Sequence, residues 1–266
     1  MNYWKQNEKN IYVAAHRGWS EKFPENTLEA FRAAIELGCD QLETDIRITK
    51  DGELVLIHDA TVDRTTNGSG AVKEKTLQEL RMLDAGIKKS EEFAGCKIPT
   101  FIEFMELVKD LPEMTLDIEL KEYPTEGNEE TAYSVCDRVL GILDSYGYTD
   151  RCVINTWNGK LHEYIHGKYG DKYKQHVYYP IECQGECTID PYSYGYCVCM
   201  FGKGEYIATK EEFRDMKKKY GIGTWAGAGV KNAEGVDRAI ENGAELITCN
   251  NPDVILTLLR ERGYHK

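Results

Sequence analysis

Gln41-Leu42-Glu43-Thr44-Asp45-Ile46-Arg47-Ile48-Thr49-Lys50-Asp51-Gly52-Glu53-Leu54-Val55-Leu56-Ile57-His58 holds two strand-like runs with no room for a helix between them. The run 41–46 pairs with an apolar run at 54–57. Only seven residues separate Ile46 from Leu54, and Asp51-Gly52 is a hairpin signal. A parallel partner would need a crossover of about a dozen residues or more. The chain is therefore expected to extend the first run and fold back through 54–57. That return brings His58 alongside Glu43 and Asp45.

Outside this hairpin the pattern is regular. Beta-like runs occur at 11–15, 41–46, 115–120, 153–156, 176–179, 195–200, 223–226 and 245–248. Helical patterns separate most of them. Residues 26–37 place Leu28, Phe31 and Ile35 on one face and open with a capping box, Asn26 and Glu29. Residues 100–108 repeat the device with Thr100 and Glu103, and 210–220 with Thr209 and Glu212. The pattern 233–241 stops at Asn242-Gly243, and 253–261 follows Pro252. Repeated strand–helix units predict an α/β protein, a parallel (β/α)8 barrel. A length of 266 residues suits one such domain spanning 1–266, since these barrels take about 250 residues. Residues 59–97 read as an insertion after the second-strand hairpin, on the rim where strands end and barrel chemistry sits. Across 181–194, Pro, Gly and Cys blur any helix, and the repeat is weakest there. A doubly wound sheet would carry a Gly-rich phosphate turn after the first strand; here that strand runs into His16-Arg17-Gly18.

Composition narrows the partners. Hydrophobic residues make up 41% of the chain, enough for a large core, and the net charge of −12 argues against nucleic acid and anionic membranes. No run approaches the roughly 18 apolar residues of a membrane span, and residues 1–10 lack an apolar signal core, so the chain reads as cytoplasmic. A homodimer stays open. Nine cysteines, an odd number, do not suggest a disulfide framework. Cys183, Cys187, Cys197 and Cys199 offer four thiolates to zinc, but neither pair has the C-x2-C spacing and the second alternates as a strand does. They read as small buried hydrophobes.

Chemistry-bearing residues concentrate between 16 and 121. Glu43 and Asp45 lie two apart on a strand and share a face. Pointing into a barrel mouth they need neutralising, by a divalent cation or by Arg47. Asp117, Glu119 and Lys121 repeat the alternation on the third strand. Glu119 offers a third oxygen to a hard cation, Mg2+ or Ca2+, and Lys121 a contact for phosphate. His16 and His58, each ending an apolar run, suit proton transfer near neutral pH. Arg17 presents a planar fork of donors to phosphate oxygens, or else pairs with Glu21 or Glu25. Trp225, ending the seventh strand, either floors a small-molecule pocket or packs between barrel and helix, and Trp157 after the fourth strand is open in the same way. Residues 63–68 read as a turn-rich polar loop.

Taken together, these residues resemble the glycerophosphodiester phosphodiesterase family. The resemblance rests on His16-Arg17-Gly18, Pro24-Glu25-Asn26-Thr27, Glu43-Thr44-Asp45, Thr49-Lys50-Asp51-Gly52, His58-Asp59 and Arg64-Thr65-Thr66, and further on Ile98-Pro99-Thr100 and Glu119-Leu120-Lys121. It spans most of the chain and is strongest over 11–121. It implies a TIM barrel with a small insertion, and metal-dependent hydrolysis of glycerophosphodiesters to glycerol 3-phosphate and an alcohol. It implies Glu43, Asp45 and Glu119 as metal ligands, His16 and His58 as the acid–base pair, and Arg17 and Lys121 as phosphate contacts. Either His can be the base, and the attacking hydroxyl can belong to water or to the substrate's glycerol.

The C-terminal half departs from the family pattern. Trp225-Ala226-Gly227-Ala228 stands where the family usually has Trp-Thr-Val-Asn. Thr248-Cys249-Asn250-Asn251-Pro252 replaces Thr-Asp-x-Pro, and Asn155-Thr156-Trp157 stands in place of Ser-Phe. Residues 175–203 match nothing in the pattern. The metal and histidine positions are intact, so the departures bear on the alcohol or glycerol side of the pocket. Two other functions fit the same residues: a phosphodiesterase acting on phospholipid or lysophospholipid headgroups, and a non-catalytic barrel that binds phosphate esters.

Overall fold

A computed structural model describes Trp4, residues 10–202 and residues 207–266. Apart from Trp4 and Asn10, the N-terminal stretch read for a signal core lies outside the described residues, as does Lys203 at the end of the 175–203 segment. The expected barrel is present. Its parallel strands are β1 (Tyr12–His16), β2 (Gln41–Ile48), β4 (Thr115–Leu120), β5 (Cys152–Asn155), β6 (Lys174–Tyr179), β7 (Cys197–Met200), β8 (Gly223–Ala226) and β9 (Leu246–Cys249). β1 pairs with both β2 and β9, which closes the ring. β3 (Leu54–Leu56) runs antiparallel to the end of β2, with Ile46 opposite Leu56 and Ile48 opposite Leu54. The hairpin therefore forms where the short interval demanded it.

The surrounding helices are α1 (Leu28–Leu37), α3 (Phe101–Val108), α4 (Glu129–Ser145), α5 (Gly159–Tyr169), α6 (Lys210–Tyr220), α7 (Ala233–Asn242) and α8 (Pro252–Glu261); short α2 (Leu77–Arg81) lies between β3 and α3. Capping boxes open α3 at Thr100 and α6 at Thr209, as their sequences require. Gly243, in the left-handed conformation, ends α7. Between β6 and β7 the described residues form only short 3-10 turns, at Ile181–Gln184 and Pro191–Ser193.

The start of α1 differs from expectation. Thr27, not Asn26, caps the helix, its hydroxyl accepting from the Ala30 N–H. Asn26 instead adopts φ 57° and turns inward, where Nδ2 donates to Asp45 Oδ2 and Oδ1 accepts from Thr44 Oγ1. Two bonds to the barrel outcompete one bond to the helix end.

Packing explains the two-sided strands. Between barrel and helices, Phe31, Phe101, Phe104, Leu116, Ile118 and Leu256 are fully buried or nearly so, with Phe31 and Phe104 in an edge contact at 4.7 Å. A second, smaller core of Val55, Ile57, Val62, Val72, Leu80, Ala85 and Ile98 fixes residues 59–97 against β3. The lumen faces carry the polar groups, and register aligns them. His16 lies beside Glu43, Glu43 beside Asp117, and Asp45 beside Glu119.

Candidate active site

Three carboxylates meet at the C-terminal mouth of β2 and β4. One oxygen from each of Glu43, Asp45 and Glu119 lies within 4.8 Å of the others, and all three side chains are buried. Among the described residues this is the one acidic, His or Cys cluster with metal-ligand spacing; Cys183, Cys187, Cys197 and Cys199 make none, and all nine cysteines are unpaired. Burial raises the Glu43 carboxyl well above the usual carboxylate range and pushes Glu119 up to about 7, with neighbouring Asp45 adding to both. Asp45 is buried too, but Lys121 and Arg17 outweigh that and hold it down at about 2.

The charges show that a divalent cation fits. Glu43, Asp45, Asp117 and Glu119 sit within one buried neighbourhood that contains Arg17 and Lys121 as its cations. Lys121 pairs with Glu119, and its Nζ is 3.1 Å from Asp45 Oδ1 without the alignment of a hydrogen bond. Arg17 Nε is 3.2 Å from Asp45 Oδ2 in the same unaligned way. Two positive charges against four carboxylates leave a deficit that protonation or a divalent cation must offset. Arg47, the alternative neutraliser, is used elsewhere: its Nε donates to the His58 carbonyl at 2.9 Å.

The loop after β1 is shaped around this cluster. Arg17 takes φ 58° and Gly18 φ 76°. A Cβ on Gly18 would stand 2.7 Å from the Ala30 carbonyl carbon, so only glycine lets the loop pass α1. The Arg17 N–H donates to Glu43 Oε2 at 2.9 Å, and its guanidinium donates to Glu25 at 2.9 Å. The ion pair with Glu25 thus forms, yet Arg17 still lines the pocket. Lys121, committed to two carboxylates, is not part of that lining.

Both candidate histidines are anchored through Nδ1. His16 Nδ1 is 2.6 Å from Asn250 Oδ1, and His58 Nδ1 is 2.7 Å from Asp59 Oδ1. Both residues line the pocket, and His16 Nε2 lies 3.9 Å from Glu43. Burial lowers His16 to about 4 and also lowers His58. Arg64 grips Asp59 and Glu25 together, with Nε 2.7 Å from Asp59 Oδ2 and Nη1 2.7 Å from Glu25 Oε2. What reads in sequence as a polar loop is therefore a clamp that joins the supports of His58 and Arg17.

The pocket these groups share has a volume of about 370 Å³. Its opposite wall is aromatic: Trp157, Tyr178 and Phe201 stack within 25° of parallel. Trp157 thus faces the pocket, whereas Trp225 is 1% exposed and lies beneath its floor, 4.7 Å from the His176 ring. The sequence reading missed Asn26, Asn250, Arg64 and His176. Only Arg64 and Asn26 belonged to recognisable motifs; Asn250 and His176 find their partners 234 and 59 residues away.

A closed parallel barrel with carboxylates, anchored histidines and basic groups gathered at its C-terminal mouth defines a TIM-barrel enzyme. A model of the glycerophosphoryl diester phosphodiesterase family matches residues 16–179, and the chain belongs to that family. It is 36% identical over 257 residues to a glycerophosphodiester phosphodiesterase of Caldanaerobacter subterraneus subsp. tengcongensis, covering 94% of this chain and 98% of that one. Solved structures share the fold. An Oleispira antarctica phosphodiesterase in complex with the product sn-glycerol-3-phosphate superposes with a TM-score of 0.76 at 23% identity, over 94% of this chain and 97% of that one. A Thermotoga maritima glycerophosphodiester phosphodiesterase gives 0.69 at 24% identity, over 94% and 98%.

Proposed function

We propose that this chain, as one barrel unit with an insertion at 59–97, hydrolyses glycerophosphodiesters to glycerol 3-phosphate and an alcohol with the help of one divalent cation, Mg2+ or Ca2+. The observation that carries the reading is the convergence of Glu43, Asp45 and Glu119 on one point beside two histidines that line the same pocket and are anchored through Nδ1. Family membership supports the reaction class.

A cation held by the three carboxylates would neutralise the phosphate and activate the attacking hydroxyl. Arg17, on the pocket wall, stabilises the charge that builds on the non-bridging oxygens, and Lys121 is assigned the same role from beside Glu119. His16 and His58 act as base and acid through Nε2, while Asn250 and Asp59 fix their rings. The unpaired cysteines fit a reducing compartment such as the cytoplasm. No described helix is long and apolar enough to cross a membrane.

The test is a panel of glycerophosphodiesters and lysophospholipids assayed with Mg2+, Ca2+ and chelator. Release of glycerol 3-phosphate, abolished reversibly by chelator and by Glu43→Gln or Glu119→Gln, is the expected result. His16→Ala and His58→Ala each cost at least ~10²-fold in rate. Full activity in excess chelator overturns the metal assignment. A loss of only a few-fold returns that histidine to a structural role. Binding without product release makes the chain a phosphate-ester-binding barrel, and preference for lysophospholipids moves the substrate to lipid headgroups.

A further inference from the structure

His176 is 3% exposed, yet it lines the pocket floor with its Nε2 unpartnered. Its other nitrogen, Nδ1, lies 2.7 Å from Asp117 Oδ2. Asp117 is fully buried, and its second oxygen accepts from Asn155 Nδ2 at 3.2 Å. Asn155 Oδ1 in turn accepts from the Tyr178 hydroxyl at 2.6 Å. The chain Tyr178–Asn155–Asp117–His176 thus runs across β4, β5 and β6 and holds the ring from behind. Trp225 packs on one side of the ring and Tyr178 on another, at 4.7 and 5.3 Å between centroids. Nothing in this network uses Nε2. Thr248, 7% exposed, lines the same pocket, and its Oγ1 is a second unpartnered polar atom.

A buried polar atom that finds no partner in the protein is costly unless a ligand or water supplies one. The chemistry of the site selects the partner. With Nδ1–H donated to Asp117, a neutral ring offers a lone pair at Nε2 and an imidazolium offers an N–H. A hydroxyl satisfies either form, because it both donates and accepts, and it satisfies Thr248 in the same way. A phosphate oxygen, which has no proton to donate, fits only the imidazolium, whereas a hydroxyl fits both forms of the ring. Under the function proposed above, every substrate brings a glycerol moiety that carries free hydroxyls.

We infer that His176, oriented by Asp117, is a specificity-determining residue that hydrogen-bonds a glycerol hydroxyl of the ligand through Nε2, with Thr248 Oγ1 as the second polar contact of that subsite. This rests on the phosphodiesterase reading for the identity of the polyol, and on the geometry alone for the hydroxyl. A site built around such a bond rejects an analogue that lacks the hydroxyl, because the buried group is then left unpaired.

The experiment titrates the intact protein in Mg2+ with glycerol 3-phosphate, propane-1,2-diol 1-phosphate and propane-1,3-diol phosphate, by calorimetry. The wild type is expected to bind at least one deoxy ligand ~10-fold or more weakly than glycerol 3-phosphate. In His176→Leu/Asp117→Asn, which leaves no buried carboxylate unpaired, that gap closes because glycerol 3-phosphate weakens while the ligand lacking the contacted hydroxyl does not. His176→Gln, which keeps an amide N–H for Asp117, serves as the milder variant, and circular dichroism checks the fold of each. The inference is overturned if the wild type shows no gap, if the gap survives in the variants, or if all three ligands weaken equally. The function itself is read separately, from product release on diesters. A gap without turnover keeps the subsite and sinks the reaction, and turnover without a gap does the reverse.

Discussion

Acid should weaken this barrel through one histidine on α5. His162 is fully buried, with Nε2 3.1 Å from the Thr156 carbonyl and Nδ1 2.7 Å from the Gln175 side-chain amide on β6. The Gln175 Oε1 and the Thr156 carbonyl both accept, so a neutral ring donates to one of them and an imidazolium to both. Burial is the main cause that lowers the His162 pKa from 6.5 to about 4; the bond to Gln175 works the other way, and nearby His176 adds to the lowering. The unfolded chain therefore binds the proton first as pH falls. Stability is complete well above pH 6.5, declines as pH drops below that value, and stops declining below about pH 4. At about 1.36 kcal/mol per pKa unit, the loss is about 2 kcal/mol at pH 5 and about 3 kcal/mol at pH 4. His162→Gln keeps a hydrogen-bonding side chain but cannot take up a proton. Urea unfolding of both proteins at pH 7.5, 6 and 5 isolates the effect, since His16 and the carboxylates are common to the two. The wild type should lose about 2 kcal/mol more than the variant between pH 7.5 and 5. Curves that stay parallel within about 0.5 kcal/mol refute the desolvation account. The outcome bears on the site, because Thr156 precedes Trp157 of the pocket wall.

Three further substitutions test the scaffold. Phe104→Ala, in the barrel–helix core beside Phe31, should cost about 3–5 kcal/mol and lower the denaturant midpoint without changing the pocket's charge. Thr100→Ala removes the hydroxyl that caps α3 and should cost about 1 kcal/mol, measured the same way. Gly18→Ala forces a side chain against Ala30 at φ 76° and should cost more than about 1 kcal/mol while also lowering phosphodiesterase turnover, because Arg17 and His16 are carried by that loop. A variant of normal stability and rate would show that the loop shifts freely.

The residues that were legible in the sequence owe it to short-range rules. Period-two alternation put Glu43 with Asp45 and Asp117 with Glu119 on shared faces, and a seven-residue gap with Asp51-Gly52 required the hairpin. The errors and omissions come from long-range partners. Asn26 had the spacing of a helix cap, but its amide is worth more against Asp45 and Thr44, and Thr27 took the cap. The sequence patterns do not mark α4 or α5, although Val135, Val139 and Leu143 line the buried face of the one and Leu161 and Ile165 that of the other. Trp225 could not be placed above or below the pocket floor from spacing alone; His176, the residue that separates them, has its partner Asp117 two strands away.

Glu25 is shared. One of its oxygens accepts from both Arg17 and Arg64, and the other from Arg64, which also grips Asp59 and through it His58. The loop after β1 and the segment after β3 are thereby energetically linked through one carboxylate. Effects on turnover of removing Glu25 and removing Arg64 will not add, because either change alone already breaks the link between the two loops, and a double-mutant cycle on this pair reads that linkage directly as its interaction energy.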